Sequence, residues 1–111
     1  MSKKKSSPDG SIPRAIARFL RSLESERRAS QHTLRAYRQD LERFAAWAGT
    51  GADWPAVDHL RIRAFLSHLY DEGLSKTSVA RALAALRSLY RWMAREGMVD
   101  QNPAALVSTP R

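Results

Sequence analysis

One stretch, residues 75–97, constrains the fold of this chain more than any other. Read at 100° per residue, its apolar side chains fall on one side, as in a helix that packs one face against a core. These residues are Val79, Ala82, Leu83, Leu86, Leu89, Tyr90 and Met93. Ser75 suits a helix N-cap, and Gly97 suits the left-handed conformation that follows a helix C-terminus. The sequence therefore predicts a long amphipathic helix with defined ends.

The opposite side of this helix combines cations with small residues. No acidic residue occurs before Glu96, and the cations are Lys76, Arg81, Arg87, Arg91 and Arg95. A solvated helix face usually mixes charges of both signs, so this face suits a polyanion. Arg91 and Arg95 also have a structural explanation, since cations stabilise the C-terminal end of the helix dipole. The N-terminal turns differ because their free N–H groups favour phosphate beside Lys76, Thr77 and Arg81.

Apolar residues at helical spacing predict three earlier helices, over residues 13–28, 31–48 and 58–73. Residues 49–57 are rich in turn formers and indicate a loop. Asn102 followed by Pro103 predicts one or two helical turns over residues 104–107. We therefore expect an all-α fold, a bundle of four main helices plus a short C-terminal helix.

The second predicted helix has a similar polar face, which contains His32, Arg35, Ala36, Gln39 and Arg43. Gln39 is suited to an adenine edge, and Arg35 to guanine or phosphate. The alternative is an exposed face whose arginines pair with Asp40 and Glu42, and this alternative is favoured for Arg43.

Composition favours nucleic acid as the partner. Lys and Arg number 19 against 11 acidic residues, which gives a net charge of +8 and a pI near 10.8. An acidic protein or an anionic membrane surface is a weaker alternative. The chain has no cysteine, no apolar run long enough to span a bilayer and no signal-peptide pattern. We expect a cytoplasmic protein that does not act at a membrane.

Neither a metal site nor a catalytic cluster is predicted. His32, His59 and His68 lack metal-ligand spacing, and Tyr37, Tyr70 and Tyr90 lie on apolar stripes as core residues do. We expect no metal, no cofactor and no small-molecule ligand.

The chain is expected to form one domain with tails. Residues 1–11 combine a lysine run with Ser, Pro and Gly and predict a disordered basic tail. Residues 12–107 are the predicted helical domain, and residues 108–111 are the predicted start of a linker.

Three strings in this order carry a family resemblance: SQHTLRAYRQDLERFAAWA, GLSKTSVARALAALRSLYRWMAREG and NPAALV. Together they resemble the N-terminal core-binding domain, a SAM-like domain, of tyrosine recombinases of the Xer recombinase and phage integrase type. The resemblance covers residues 12–110. It implies a helical bundle that clamps double-stranded DNA at a recombination half-site, with the N-terminal halves of the second and fourth helices in successive grooves.

Carried over position by position, the resemblance implies DNA-binding residues on two helices. On the second helix they are His32, Thr33, Arg35, Ala36 and Gln39. On the fourth they are Lys76, Thr77, Ser78 and Arg81, with Arg87 in a region that the family also uses for packing or backbone contact.

The family's catalytic tyrosine and its assisting residues belong to a C-terminal domain that would follow Pro110. The resemblance therefore implies a DNA-binding part without strand-cleaving activity, from a parent enzyme that forms a tetramer on DNA. That parent would act in DNA integration or in chromosome-dimer resolution.

Two other functions stay open. In a helix-turn-helix regulator, the third helix, the turn at Gly73 and the fourth helix would read DNA, and the second helix would be a support. In a helical interaction module, the basic surface would instead bind an acidic protein.

Overall fold

The computed structural model describes residues 12–26, 30–49 and 57–109. Four helices follow one another: α1 (Ile12–Glu26), α2 (Gln31–Ala48), α3 (His59–Asp71) and α4 (Lys76–Arg95). The described ranges contain no β-strand. The predicted all-α class with four main helices is confirmed.

Three helices begin at side-chain caps, and the predicted cap at Ser75 is one of them. The Oγ of Ser30 accepts from the backbone N of Thr33 at 3.0 Å, and Oδ1 of Asp58 accepts from the N of Arg61 at 2.9 Å. At α4 the Oγ of Ser75 accepts from the N of Ser78 at 3.2 Å. Each cap satisfies one of the donors that a helix N-terminus otherwise leaves unpaired.

Glycines end α3 and α4 through the same hydrogen-bond pattern. Gly73 and Gly97 have φ of 94° and 77°, values that a side chain disfavours. The N of Leu74 donates to Leu69 O at 3.1 Å, and the N of Met98 donates to Met93 O at 2.9 Å. Together with the bonds from Gly73 N to Tyr70 O (2.9 Å) and from Gly97 N to Ala94 O (3.2 Å), these are two Schellman motifs.

The described residues belong to two compact units, Met1–Ala56 and Val57–Arg111. In the first, α1 packs against α2, and the rings of Phe19 and Tyr37 stack with centroids 6.4 Å apart. Its buried apolar residues lie at helical spacing on both helices: Ile12, Ala15, Ile16, Phe19 and Leu20 on α1, and Leu34, Leu41, Phe44 and Ala48 on α2.

In the second unit α3 packs against α4. The buried residues of α3 are Ile62, Phe65, Leu66 and Leu69. All seven residues of the predicted α4 stripe are buried, together with Ala85 and Trp92. The periodicity of residues 75–97 therefore predicted the inner face of α4 correctly.

The segment after Asn102 departs from its prediction. Residues 103–106 form hydrogen-bonded turns instead of an α-helix, with bonds from Ala105 N to Asn102 O (3.2 Å) and from Val107 N to Ala104 O (3.3 Å). These i to i+3 bonds close turns tighter than those of an α-helix. Ala104 and Val107 are buried, so the turns lie against the rest of their unit.

Several sequence-based expectations lie outside the described residues. They concern the tail at residues 1–11, the C-terminal end of the first predicted helix at 27–28 and most of the loop at 50–56. Pro110 and Arg111, at the end of the predicted linker, also lie outside them.

Among the described tyrosines, Tyr90 is fully buried, whereas Tyr37 and Tyr70 are half-buried. Within the described part of the chain the hydroxyl of Tyr90 has no hydrogen-bond partner. Burial raises the pKa of Tyr90 well above its ordinary value of 10.0 because the phenolate would lose its hydration. Burial of this unpaired hydroxyl therefore lowers the free energy of unfolding.

We predict that Tyr90→Phe raises the free energy of unfolding by about 1 kcal/mol at neutral pH, since an unpaired buried hydroxyl is removed. The pH dependence should change as well. In alkali the unfolded tyrosine loses its proton near pH 10.0 while the buried one keeps it, so the unfolded state gains stability and folding weakens as pH rises. Urea unfolding at neutral pH and at about pH 11 measures both effects. An equally steep alkaline loss in Tyr90→Phe would contradict the assignment to Tyr90.

We predict that Gly97→Ala lowers the free energy of unfolding by about 1 kcal/mol. No heavy atom lies within 4 Å of a Cβ at this position, so the loss would come from the positive φ alone. Gly97→Asn is the matched control and should lose less, because Asn tolerates the left-handed conformation better. Equal losses in the two variants, measured by urea unfolding, would show that φ is not the cause.

Candidate nucleic-acid interface

The outer face of α4 begins with an exposed cationic surface. Lys76, Thr77 and Arg81 are exposed, and the small residues Ala80 and Ala84 lie exposed among them. The buried stripe fixes this orientation, because apolar packing on one side of an amphipathic helix leaves its opposite side in solvent. Small side chains between cations allow the helix backbone to approach a partner closely.

The charge of this surface has one sign. From Lys76 to Arg95 the helix contains no acidic residue, and the nearest acids before it in sequence are Asp71 and Glu72, beyond the turn at Gly73. The N-terminal end of the helix dipole adds positive potential at Lys76 and Thr77. The first two turns of α4 therefore combine cations, backbone donors and small side chains, which together suit an anionic backbone.

The helices α2 and α4 begin with the same arrangement of hydroxyl groups. The Ser30 hydroxyl donates to Thr33 Oγ1 at 3.0 Å, and the Ser75 hydroxyl donates to Ser78 Oγ at 3.2 Å. Thr33 and Ser78, two of the predicted DNA-binding residues, thus take part in their helix caps. Since each accepts this bond, its own O–H keeps the capacity to donate outward. Thr33 is exposed and Ser78 is half-buried.

The remaining predicted residues of α2 lie along its first three turns. His32, Arg35 and Gln39 are exposed, and Ala36 is half-buried between them. Of the two acids that could pair with the arginines, Asp40 is only 2% exposed, whereas Glu42 is exposed. The polar side of α2 therefore presents hydrogen-bonding groups of a kind that reads base edges.

Arg87 lies apart from the exposed predicted residues because it is half-buried. Its Nε donates to the backbone oxygen of Ala104 at 3.1 Å, and its Nη2 donates to the backbone oxygen of Val107. The side chain of Asn102 in turn donates to the backbone oxygen of Arg87 at 3.2 Å. The guanidinium is thus bonded to the chain itself, and its predicted DNA contact stays a prediction.

The bonds between α4 and the C-terminal turns were not predicted from the sequence. Asn102 was predicted only as a helix cap, and its Oδ1 does accept from Ala104 N at 2.9 Å. A polar residue followed by proline signals the cap, but nothing in that signal identifies Arg87 as a second partner.

A groove of about 670 Å³ in the second unit was also not predicted. It is lined by His59, Arg63 and Ser67 on α3 and by residues 101–103 and 106–109. Leu106, one of its lining residues, is 97% exposed.

The described residues contain no group of His, Cys, Asp or Glu side chains that could hold a metal ion. None of the described helices is long and apolar enough to cross a membrane.

Comparisons with known proteins identify the family. Residues 16–97 match the family described as "Phage integrase, N-terminal SAM-like domain". The chain is 39% identical over 102 residues to the tyrosine recombinase XerC of Pseudomonas fluorescens, covering 90% of this chain and 34% of that protein. It is 45% identical over 100 residues to the XerC of Pelobacter propionicus, covering 86% of this chain and 33% of that protein.

The chain therefore spans about a third of the length of these curated relatives. No solved structure matches it. Since the family match covers most of the chain, and the helices that carry the candidate interface lie within it, this chain belongs to the phage integrase N-terminal SAM-like domain family.

Proposed function

We propose that this chain binds double-stranded DNA through the N-terminal halves of α2 and α4, as the DNA-binding part of a tyrosine site-specific recombinase. The observation that carries the proposal is the exposed, acid-free cationic face of α4, which begins at a helix N-terminus. A net charge of +8 supports a polyanionic partner. The relatives named as tyrosine recombinases support DNA as that polyanion.

On α4 the proposed contacts are mainly with phosphates. Lys76 and Arg81 supply charge, and the Thr77 and Ser78 hydroxyls supply hydrogen-bond donors near the end of the helix dipole. Such contacts fix the position of the helix on the duplex and provide most of the affinity. They weaken as the salt concentration rises, because the release of counterions from the DNA on binding then becomes less favourable.

On α2 the proposed contacts are more selective. Arg35 suits the O6 and N7 of guanine, Gln39 suits the N6 and N7 of adenine, and the small Ala36 lets the helix approach the base edges. His32 and Thr33 at the first turn would contact the backbone. Together the two helices would clamp a recombination half-site.

Strand cleavage and rejoining would be the activity of the parent recombinase and would not be carried out by these residues. A nucleophilic tyrosine needs access to DNA and groups that stabilise its phenolate, whereas Tyr90 is buried and its pKa is raised. We propose that the parent protein forms a tetramer on DNA in the cytoplasm, with α1 and α3 as candidates for contacts between protomers, and acts in DNA integration or chromosome-dimer resolution.

We predict that the affinity of the chain for a short duplex falls steeply with salt. If it neutralises about 4 to 6 phosphates, log affinity should fall with log salt at a slope near −0.9 per phosphate. Arg81→Gln should reduce the magnitude of this slope by about 0.9, because one phosphate contact is lost. Arg91→Gln is the matched control, since Arg91 is exposed on the same helix but two to three turns further along. Fluorescence anisotropy at several salt concentrations measures the slopes, and equal changes in the two variants would contradict a localised contact.

We predict amide chemical-shift changes on both helices when the duplex is added, over residues 31–39 and 76–81, and their loss as salt rises.

Arg35→Ala and Gln39→Ala should weaken binding of a recombination site by about 1–3 kcal/mol each if they read bases. Shifts confined to α4, with binding intact in both variants, would favour the helix-turn-helix function. Heparin binding as tight as duplex binding would favour an interaction module for acidic proteins.

A further inference from the structure

Arg87 and Asn102 form a reciprocal set of hydrogen bonds between α4 and the segment that follows it. Arg87 donates from Nε and Nη2 to the backbone oxygens of Ala104 and Val107. Asn102 donates from Nδ2 to the backbone oxygen of Arg87 and accepts at Oδ1 from the N of Ala104. Three of these bonds join α4 to the segment, and the fourth lies within the segment; we call the four together the α4 latch. Each residue thus binds the backbone of the other's segment.

The latch satisfies polar groups that burial would otherwise leave unpaired. Ala104 is 0% exposed and Val107 is 4% exposed, and turns of this length cannot pair all of their own carbonyl oxygens. The guanidinium suits this task because Nε–H and one Nη2–H lie on the same edge of a planar fork and point in parallel. A lysine ammonium, as a single point donor, does not offer that geometry.

We propose that Arg87 is a positioning residue. Through the latch it fixes the direction in which the backbone runs at Ser108 relative to α4, and it does not contact DNA. Because α4 also carries Lys76 and Arg81, the latch would set that direction relative to the DNA-binding face. This second consequence depends on the function proposed above, whereas the latch itself does not.

The chain offers a clean way to measure the direction at Ser108. It contains no cysteine, so Ala84→Cys and Ser108→Cys, both at exposed positions, introduce unique attachment sites for two spin labels. Pulsed electron paramagnetic resonance then gives the distribution of distances between α4 and residue 108. Amide hydrogen exchange at Ala104, Ala105 and Val107 reports the turns independently, since each of these amides donates a bond there.

Asn102→Ala is the principal variant because it removes two bonds of the latch without changing the net charge. It should broaden the distance distribution and speed exchange at the three amides by about tenfold or more. Asn102→Ser, which keeps an acceptor for the N of Ala104, should have a smaller effect. This milder variant keeps the test decisive if Asn102→Ala does not fold. Arg87→Gln should reproduce the broadening.

Measurements of duplex binding then distinguish a positioning role of Arg87 from a direct contact between Arg87 and DNA. In Arg87→Gln the slope of log affinity against log salt should stay close to that of the unsubstituted chain. In Arg81→Gln the magnitude of this slope should fall by about 0.9. A narrow distance distribution in Arg87→Gln, together with a slope reduced by about 0.9, would overturn the inference and make Arg87 a DNA contact. If the unsubstituted chain binds no DNA, the proposed function fails. The distance and exchange measurements then still decide whether the latch exists.

Discussion

The one-sided burial of α4 is the interaction on which the rest of the second unit depends. α4 packs against α3, and the apolar stripe of α4 is buried within the second unit. This packing leaves Lys76 and Arg81 exposed to solvent. Burial of a Leu or Met side chain stabilises the fold by about 1.5–3 kcal/mol, whereas an exposed ion pair changes the stability by about 0–1 kcal/mol. The position of the cations is therefore set by hydrophobic packing, and electrostatics then determines only what the exposed face binds.

The helix ends add a second level of organisation. A serine cap fixes where α2 and α4 begin, and in both helices the cap engages a hydroxyl three residues on, at Thr33 and Ser78. Such caps contribute about 1 kcal/mol of stability each. They also hold the first turn in the geometry that presents its N–H groups to solvent. The same residues thus stabilise the fold and shape the surface that we propose binds DNA.

Local patterns in the sequence predicted a large part of this structure. The spacing of nearby residues reveals the stripe of α4, the cap at Ser75 and the left-handed Gly97, because each depends on residues within one or two helical turns. The latch depends instead on a guanidinium and two backbone oxygens that are 17 and 20 residues away. Backbone acceptors look the same at every position, so no pattern of side chains marks them. For the same reason the sequence places Arg87 among the solvent-facing cations of α4. The turns after Asn102 were expected to be helical because a cap residue followed by proline is a signal for the start of a helix. The sequence resemblance identified the family, while the proposed DNA contacts remain predictions.

The separation of Lys76 and Arg81 along the α4 axis can be compared with the spacing of phosphates along DNA. Lys76 and Arg81 are five residues apart, which corresponds to about 7.5 Å along the helix axis at 1.5 Å per residue. Successive phosphates of one strand advance by about 3.4 Å along the duplex axis. A helix lying along the backbone would therefore span about two phosphate steps between these cations. Only the first third of this 20-residue helix would then follow the strand, and its remaining length is available for packing.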